Sequence, residues 1–230
     1  MNGVRCKFRQ SGWLVAVAGA SLALVTALSF THSAAREQGQ AYSYNCEGDE
    51  DRVVVFIDGD RGHLFARKIS APIELQADGA TFLGDGIEFV PDRPEGLAPG
   101  QTASIRLGER TLSNCRNDPR AAVWEGAKLR GVSYRAIGQE PGWVLEIDRD
   151  KGFLLVTGYG EQRDRIPYAE PVSDASTRSS RYESKLEGET LVVEIVGENC
   201  RDTMSGEAFS SRVTVEWRGA TLRGCGRALH

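Results

Sequence analysis

The sequence predicts an all-β protein in which a first domain, a sandwich or a barrel, is followed by a second β-rich domain. Short runs that alternate apolar with polar residues recur along most of the chain, and this pattern marks strands with one face on a core and the other in water. Glycine-containing turn signals separate the runs about every eight to twelve residues, which favours a sandwich or a barrel. Four of the five cysteines follow an N-terminal apolar run, as expected for a protein that folds in an oxidising compartment.

Residues 1–35 have the three parts of a secretory signal peptide. Basic residues precede the uncharged stretch 11–29, and Ser33-Ala34-Ala35 supplies small residues for cleavage. We therefore expect a mature chain that begins at Arg36 in the periplasm or cell envelope. One alternative stays open, because residues 12–30 are long and apolar enough to span a bilayer. An uncleaved segment would anchor the protein to the inner membrane, and we expect no other membrane contact.

Residues 42–118 are the first predicted β-rich domain. Residues 52–57 are rich in β-branched side chains and stop at Asp58-Gly59-Asp60, a hairpin-type turn signal. Residues 91–100 contain three prolines and two glycines and are predicted to form an exposed loop. Further strands are predicted at residues 63–66, 73–76, 81–83, 87–90 and 102–107.

Residues 131–229 are the predicted second domain. The polar, proline-containing residues 116–120 mark the boundary, and a short helix is predicted over residues 121–129 although Gly126 lowers its propensity. Residues 161–165 are predicted to be a solvated turn, and residues 174–180 the loosest part of the mature chain. Strands are predicted at residues 132–137, 142–147, 153–156, 191–196 and 213–217.

The charge and the histidines exclude several function classes. A net charge of −4 and an isoelectric point near 5.5 argue against nucleic acid as a partner, since phosphate binding needs a basic face. His32, His63 and His230 are too scattered to suggest a metal site. We predict no metal and no cofactor.

The four cysteines beyond the apolar run are predicted to form two disulfides. Four cysteines allow three pairings, and their placement favours Cys46–Cys115 and Cys200–Cys225, one within each half. Neither half contains a Cys-x-x-Cys spacing, so structural bonds are expected and not a redox pair.

Two polar segments of the second half raise the question of catalysis. Glu140 and Asp202 are candidate acid–base groups, and Ser205 is a candidate nucleophile. No histidine or suitably placed lysine is evident to activate Ser205. We therefore predict that both segments are turns, with Asp202 accepting hydrogen bonds from backbone N–H groups. A non-enzymatic protein is expected, and a hydrolase in the second domain is the alternative.

Several segments of the first half carry a likeness to a known family: Tyr44-Asn45-Cys46 and residues 78–82, 85–89, 103–107 and 112–115. Over residues 42–117 the chain resembles the membrane-bound inhibitor of C-type lysozyme family. That resemblance implies a small antiparallel β-barrel with one disulfide, and C-type lysozyme as the partner whose active-site cleft is plugged. Residues 135–143, 200–206 and 224–226 resemble a group of uncharacterised bacterial exported domains, which implies no activity.

The inhibitor motifs of the family are altered in this chain. Family members set a serine and a lysine against the catalytic carboxylates of the enzyme. Here Asp78 stands at the serine position, Thr81 and Phe82 end the same motif with Phe82 replacing a tyrosine, and the lysine motif is lost. Arg93, in the predicted loop, is the candidate substitute cation because a guanidinium suits a carboxylate partner. Non-inhibitory binding of peptidoglycan or a protein, or a scaffold role, is the alternative function.

Overall fold

The computed structural model describes residues 39–47, 52–92 and 100–230, and it confirms the all-β prediction. The predicted signal segment lies outside these residues. Everything described belongs to one compact unit, which spans Glu37–His230. Within the described ranges, none of the helical segments has the length and apolar character needed to cross a membrane.

Eight antiparallel strands close into the predicted barrel, because each strand pairs with the next and β8 returns to β1. The turn at Asp58-Gly59-Asp60 joins β2 to β3 as predicted. The strands are β1 (Gln40–Glu47), β2 (Val53–Asp58), β3 (Arg61–Ala66), β4 (Ile69–Leu75), β5 (Phe82–Gly84), β6 (Ile87–Pro91), β7 (Thr102–Leu107) and β8 (Arg110–Asn117).

Apolar side chains from alternate strand positions fill the barrel interior. Val53 and Val55 of β2 are fully buried, and the rings of Phe82 and Phe89 lie 6.0 Å apart in the same core. The predicted disulfide Cys46–Cys115 is confirmed and joins β1 to β8, where the barrel closes. The covalent bond thus crosses the seam between the first and last strands.

The second half forms a curled antiparallel sheet of nine strands in the order β12-β11-β10-β9-β19-β18-β15-β14-β13. One face carries a large apolar core that includes Leu145, Phe153 and Val193. Trp143 and Trp217 are also buried. The elements are β9 (Tyr134–Gln139), β10 (Gly142–Asp148), β11 (Gly152–Thr157), β12 (Gln162–Ile166), β13 (Val172–Asp174), β14 (Ser179–Leu186), β15 (Glu189–Val196), β16 (Cys200–Arg201), β17 (Ala208–Phe209), β18 (Ser211–Trp217) and β19 (Ala220–Ala228), of which β16 and β17 form a separate small pair.

One helix, α1 (Pro119–Leu129), connects the barrel to the sheet, close to the predicted bounds. The carboxylate of Asp118 caps its first turn by accepting hydrogen bonds from two backbone N–H groups, each at 3.1 Å. Gly126 permits close contact with β1, since an added Cβ there would lie 3.0 Å from the Cβ of Ala41. Glycine lowers the helix propensity at this position, but its missing side chain allows the helix to pack closely on the barrel.

The other side of α1 covers the outer face of the nine-stranded sheet. Trp124 packs on Phe209 with ring centroids 5.3 Å apart, in a small core that is separate from the main core of the sheet. The predicted disulfide Cys200–Cys225 is confirmed and borders this core.

One sequence prediction about the second domain is wrong. Residues 161–165 were expected to be a solvated turn, but residues 162–165 form most of the edge strand β12. Residues 174–180 contain the exposed hairpin turn between β13 and β14. In β12 the inward Asp164 is stabilised because Trp217 donates its indole N–H to the carboxylate at 3.0 Å. A charged residue could therefore occupy a buried strand position, which the polar sequence did not indicate.

Candidate functional site

Two of the candidate inhibitor residues, Asp78 and Thr81, lie in a loop at one end of the barrel. The turn at residues 58–61 and the loop 76–81 are neighbours there, because the Leu75 N–H donates to the Asp60 carbonyl at 2.8 Å. Asp92, which precedes the undescribed residues 93–99, lines a groove of about 550 Å³ together with Ala80. The topology thus brings the start of the predicted exposed loop beside the loop that contains Asp78.

The carboxylate of Asp78 is used within its own loop. It accepts hydrogen bonds from the backbone N–H groups of Ala80 and Thr81, each at 2.9 Å, and from the Thr81 hydroxyl at 2.6 Å. Asp78 therefore stabilises an Asx-type turn, and the hydroxyl of Thr81 already donates to it.

Phe82 does not share the exposed position of these two residues. Phe82 is only 1% exposed, so its ring belongs to the barrel core and not to the surface. Arg93 lies outside the described residues. Of the four candidates, the structure brings Asp78 and Thr81 into direct contact and places Phe82 beneath them.

The same barrel end presents several carboxylates to solvent. Asp58, Asp60, Glu74 and Asp78 are exposed, whereas the only exposed cation of the two loops is Arg61, opposite Glu74. No ion pair between described residues involves Asp58 or Asp60. We call the set Asp58, Asp60, Glu74 and Asp78 the acidic end of the barrel.

A second candidate site is the cleft between α1, the start of β1 and the outer face of strands β9 to β12, with a volume of about 960 Å³. Glu146 lies at its centre and is buried. The Arg130 guanidinium donates to both oxygens of this carboxylate at 2.9 and 3.1 Å, and Arg135 donates its Nε–H at 3.2 Å. Burial lowers the pKa of Arg135 although Glu146 acts in the opposite direction.

The other carboxylate of the cleft, Asp148, is also satisfied. It accepts hydrogen bonds from the backbone N–H groups of Asp150 and Lys151, and the Lys151 ammonium lies 3.2 Å away. Burial opposes ionisation, but these donors together lower the pKa of Asp148. Both carboxylates are therefore paired with neighbouring cationic side chains.

Two arginines of the cleft have no such partner. Arg163 and Arg165 project from the same face of β12, are exposed, and form no ion pair with any residue that the structure describes. Their strand neighbours on β11 are Val156 and Leu154, which also line the cleft. The cleft thus has aliphatic side chains next to Arg163 and Arg165, and a positive charge at the sheet edge that no described carboxylate compensates.

An arginine–tryptophan stack borders the cleft. The guanidinium groups of Arg135 and Arg227 lie 4.8 and 4.4 Å from the Trp124 ring centroid. Such cation–π contacts hold Arg135 in the orientation from which it reaches Glu146.

The segment around Ser205 is a turn, as predicted. The Asp202 carboxylate accepts hydrogen bonds from the backbone N–H and the hydroxyl of Ser205, at 2.7 and 2.6 Å. Burial opposes ionisation of Asp202, but these donors lower its pKa. Within the described ranges, no three potential metal ligands converge.

Asp202 is expected to contribute stability that depends on pH. Because its folded pKa lies below the unfolded value, the contribution is complete above the unfolded pKa and is lost as pH falls through the folded pKa. We expect Asp202→Asn to lower the free energy of unfolding by roughly 1–2 kcal/mol at pH 7 and by less at pH 3. Urea unfolding at both pH values measures the difference, and an equal loss at the two values would contradict this role.

No family model matches the chain, and the searches of curated proteins and of solved structures also found no significant match. The cleft residues Arg130, Arg135, Glu146, Arg163 and Arg165 were not singled out from the sequence as a site. The alternation of Arg163, Asp164, Arg165 and Ile166 was the one local signal that placed two arginines on a common strand face.

Proposed function

We propose that this protein acts outside the cytoplasm and that its barrel binds a basic protein partner, C-type lysozyme being the partner that the family resemblance implies. The acidic end of the barrel is the observation that carries the proposal. Residues 42–118 contain 8 Lys and Arg against 14 Asp and Glu, a net charge of −6. The two disulfides fit an oxidising compartment such as the periplasm.

Charge complementarity explains how such a barrel would engage lysozyme, which is strongly basic. Exposed carboxylates on two adjacent loops attract a basic surface over distances near the Debye length and accelerate association. Asp78 is less repelled by the catalytic carboxylates than a free aspartate would be, because its charge is shared among three donors. Arg93 stays the predicted substitute cation for the cleft of the enzyme.

A second candidate is envelope binding without inhibition of lysozyme. Two observations favour it: the Thr81 hydroxyl donates to Asp78, and the Phe82 ring is buried. Neither residue offers a free donor to the carboxylates of lysozyme. The partner would then be peptidoglycan or another protein of the envelope.

Removing two carboxylates from the acidic end should weaken lysozyme binding. We expect Asp58→Asn/Asp60→Asn to lower the affinity about fivefold at low salt, and the difference should largely disappear at high salt because exposed charges are screened. The matched control is Asp85→Asn/Glu109→Gln, which removes two exposed carboxylates from turns at the opposite barrel end. Calorimetric titration of the chain from Arg36 onwards measures the affinity.

Lysozyme activity on bacterial cell walls, measured in parallel, separates the two candidates. Binding with inhibition supports the inhibitor function, and binding without inhibition supports the second candidate. Absence of binding, or an equal loss of affinity in the control, would overturn the role of the acidic end.

A further inference from the structure

We propose that the cleft beside α1 binds a fatty-acid anion, with the carboxylate held by Arg163 and Arg165 and the acyl chain lying on the sheet. This site is separate from the acidic end of the barrel and does not depend on the partner of the barrel. Its ligand is a single aliphatic chain with a terminal carboxylate.

The charge balance of the cleft indicates an anionic ligand. Arg130 and Arg135 compensate Glu146, and Lys151 compensates Asp148. Arg163 and Arg165 form no ion pair with a described carboxylate, and their two charges face the cleft. Guanidinium groups hold carboxylates in bidentate geometry, and hydrogen bonds between such charged groups are stronger than neutral ones.

The strand register places an apolar strip next to these arginines. Val144 of β10 is paired with Val156 of β11, and Val156 is paired with Arg163 of β12. In the adjacent row Leu154 is paired with Arg165. Neighbouring strands lie about 5 Å apart, so the strip is roughly 10 Å long and ends at the two guanidinium groups.

The helix supplies the opposite apolar wall. Val123 and Leu129 line the cleft and are 49% and 37% exposed, which leaves apolar surface in contact with water. An acyl chain between helix and sheet would remove this surface from water, which favours binding. The cleft volume of about 960 Å³ lies within the usual range of small-molecule sites.

A small amphiphile fits the cleft better than an extended peptide. Strands β10 and β11 form its floor and are paired on both sides within the sheet, so the floor offers no free edge to which a peptide strand could add. A ligand that lies on this floor is therefore recognised by side chains, which are aliphatic along the strip and cationic at its end.

Dodecanoate, titrated below its micellar concentration into the chain from Arg36 onwards, is the probe for this site. That chain contains every described element of the compact unit. We expect saturable binding of one dodecanoate, with acetate and dodecyltrimethylammonium at least tenfold weaker. Acetate binding as tightly would reveal a simple anion site, and equal binding of the cationic surfactant would reveal non-specific apolar binding. Either result would overturn the proposal.

Two variants locate the site. Arg163→Gln/Arg165→Gln should weaken dodecanoate binding about tenfold or more, because hydrogen bonds to charged groups are lost. Lys185→Gln/Arg223→Gln removes two exposed cations outside the cleft and should bind like the wild type. Val123→Glu, at an exposed helix position, should also weaken binding by placing a carboxylate in the cleft. Unchanged affinity in the arginine variant, with folding verified by circular dichroism, would overturn the proposal.

Discussion

Replacing Glu146 by Gln is expected to lower the free energy of unfolding by about 3–5 kcal/mol, because it leaves a buried guanidinium without its counter-charge. Arg135 is almost fully buried between Glu146 and the Trp124 ring, so water cannot replace the lost carboxylate. Gln has nearly the same shape as Glu, which keeps the loss of packing small. Arg130 is more exposed and can turn to solvent, so most of the effect arises at Arg135.

Urea unfolding at neutral pH measures this loss, and Glu194→Gln is its control. Glu194 pairs with Arg181 on an exposed face of the same sheet, where an ion pair contributes only about 0–1 kcal/mol. A loss below about 1 kcal/mol for Glu146→Gln would show that the buried network does not hold the cleft together.

Removing the barrel disulfide Cys46–Cys115 is expected to lower the free energy of unfolding by an amount comparable to that of Glu146→Gln. Cys46→Ala/Cys115→Ala opens a loop with a sequence separation of 69 residues, for which the chain-entropy model gives about 4 kcal/mol. Cys200→Ala/Cys225→Ala opens a separation of only 25 residues, for which the same model gives about 3 kcal/mol. The bond also joins β1 to β8, where the barrel closes. Its loss therefore removes a covalent link between these strands in the folded state and raises the conformational entropy of the unfolded chain.

Thermal and urea unfolding of the two double variants under non-reducing conditions test whether loss of the Cys46–Cys115 bond costs more stability than loss of the Cys200–Cys225 bond. The wild type with both bonds reduced serves as the reference for the combined loss. If the Cys200–Cys225 variant proves the less stable of the two, loop entropy does not govern these bonds, and packing around Trp124 would be the better explanation.

Much of the barrel follows from local signals in the chain. Residues 52–57 are β-branched, Gly59 adopts the positive φ that its turn needs, and the alternation in residues 102–107 gives a strand with one buried face. The ends of the predicted strands differ from the observed ends by a few residues. The disulfides were also predictable, because only one pairing closes each half separately.

Other strands were missed for identifiable reasons. The polar strand β14 has side chains that face solvent, and β19 contains two glycines that allow close packing against β9 and Trp143. Neither sequence alternates strongly. Their strand conformation comes from pairing with neighbours distant in sequence, as in the contact of β19 with β9.

By itself the sequence determined the all-β class, the turns of the barrel, the helix near residue 121 and the two disulfides, because these depend on neighbouring residues or on few cysteines. Only the tertiary structure decided the sites. Phe82 is buried because its strand position faces the core of the closed barrel. The pairing of β12 with β11 places Arg163 and Arg165 in the same cleft as Glu146 and Asp148, whose carboxylates are already paired with other cations. Whether a charged side chain lacks an ion-pair partner depends on contacts between residues that are distant in sequence, so a local sequence pattern cannot predict it.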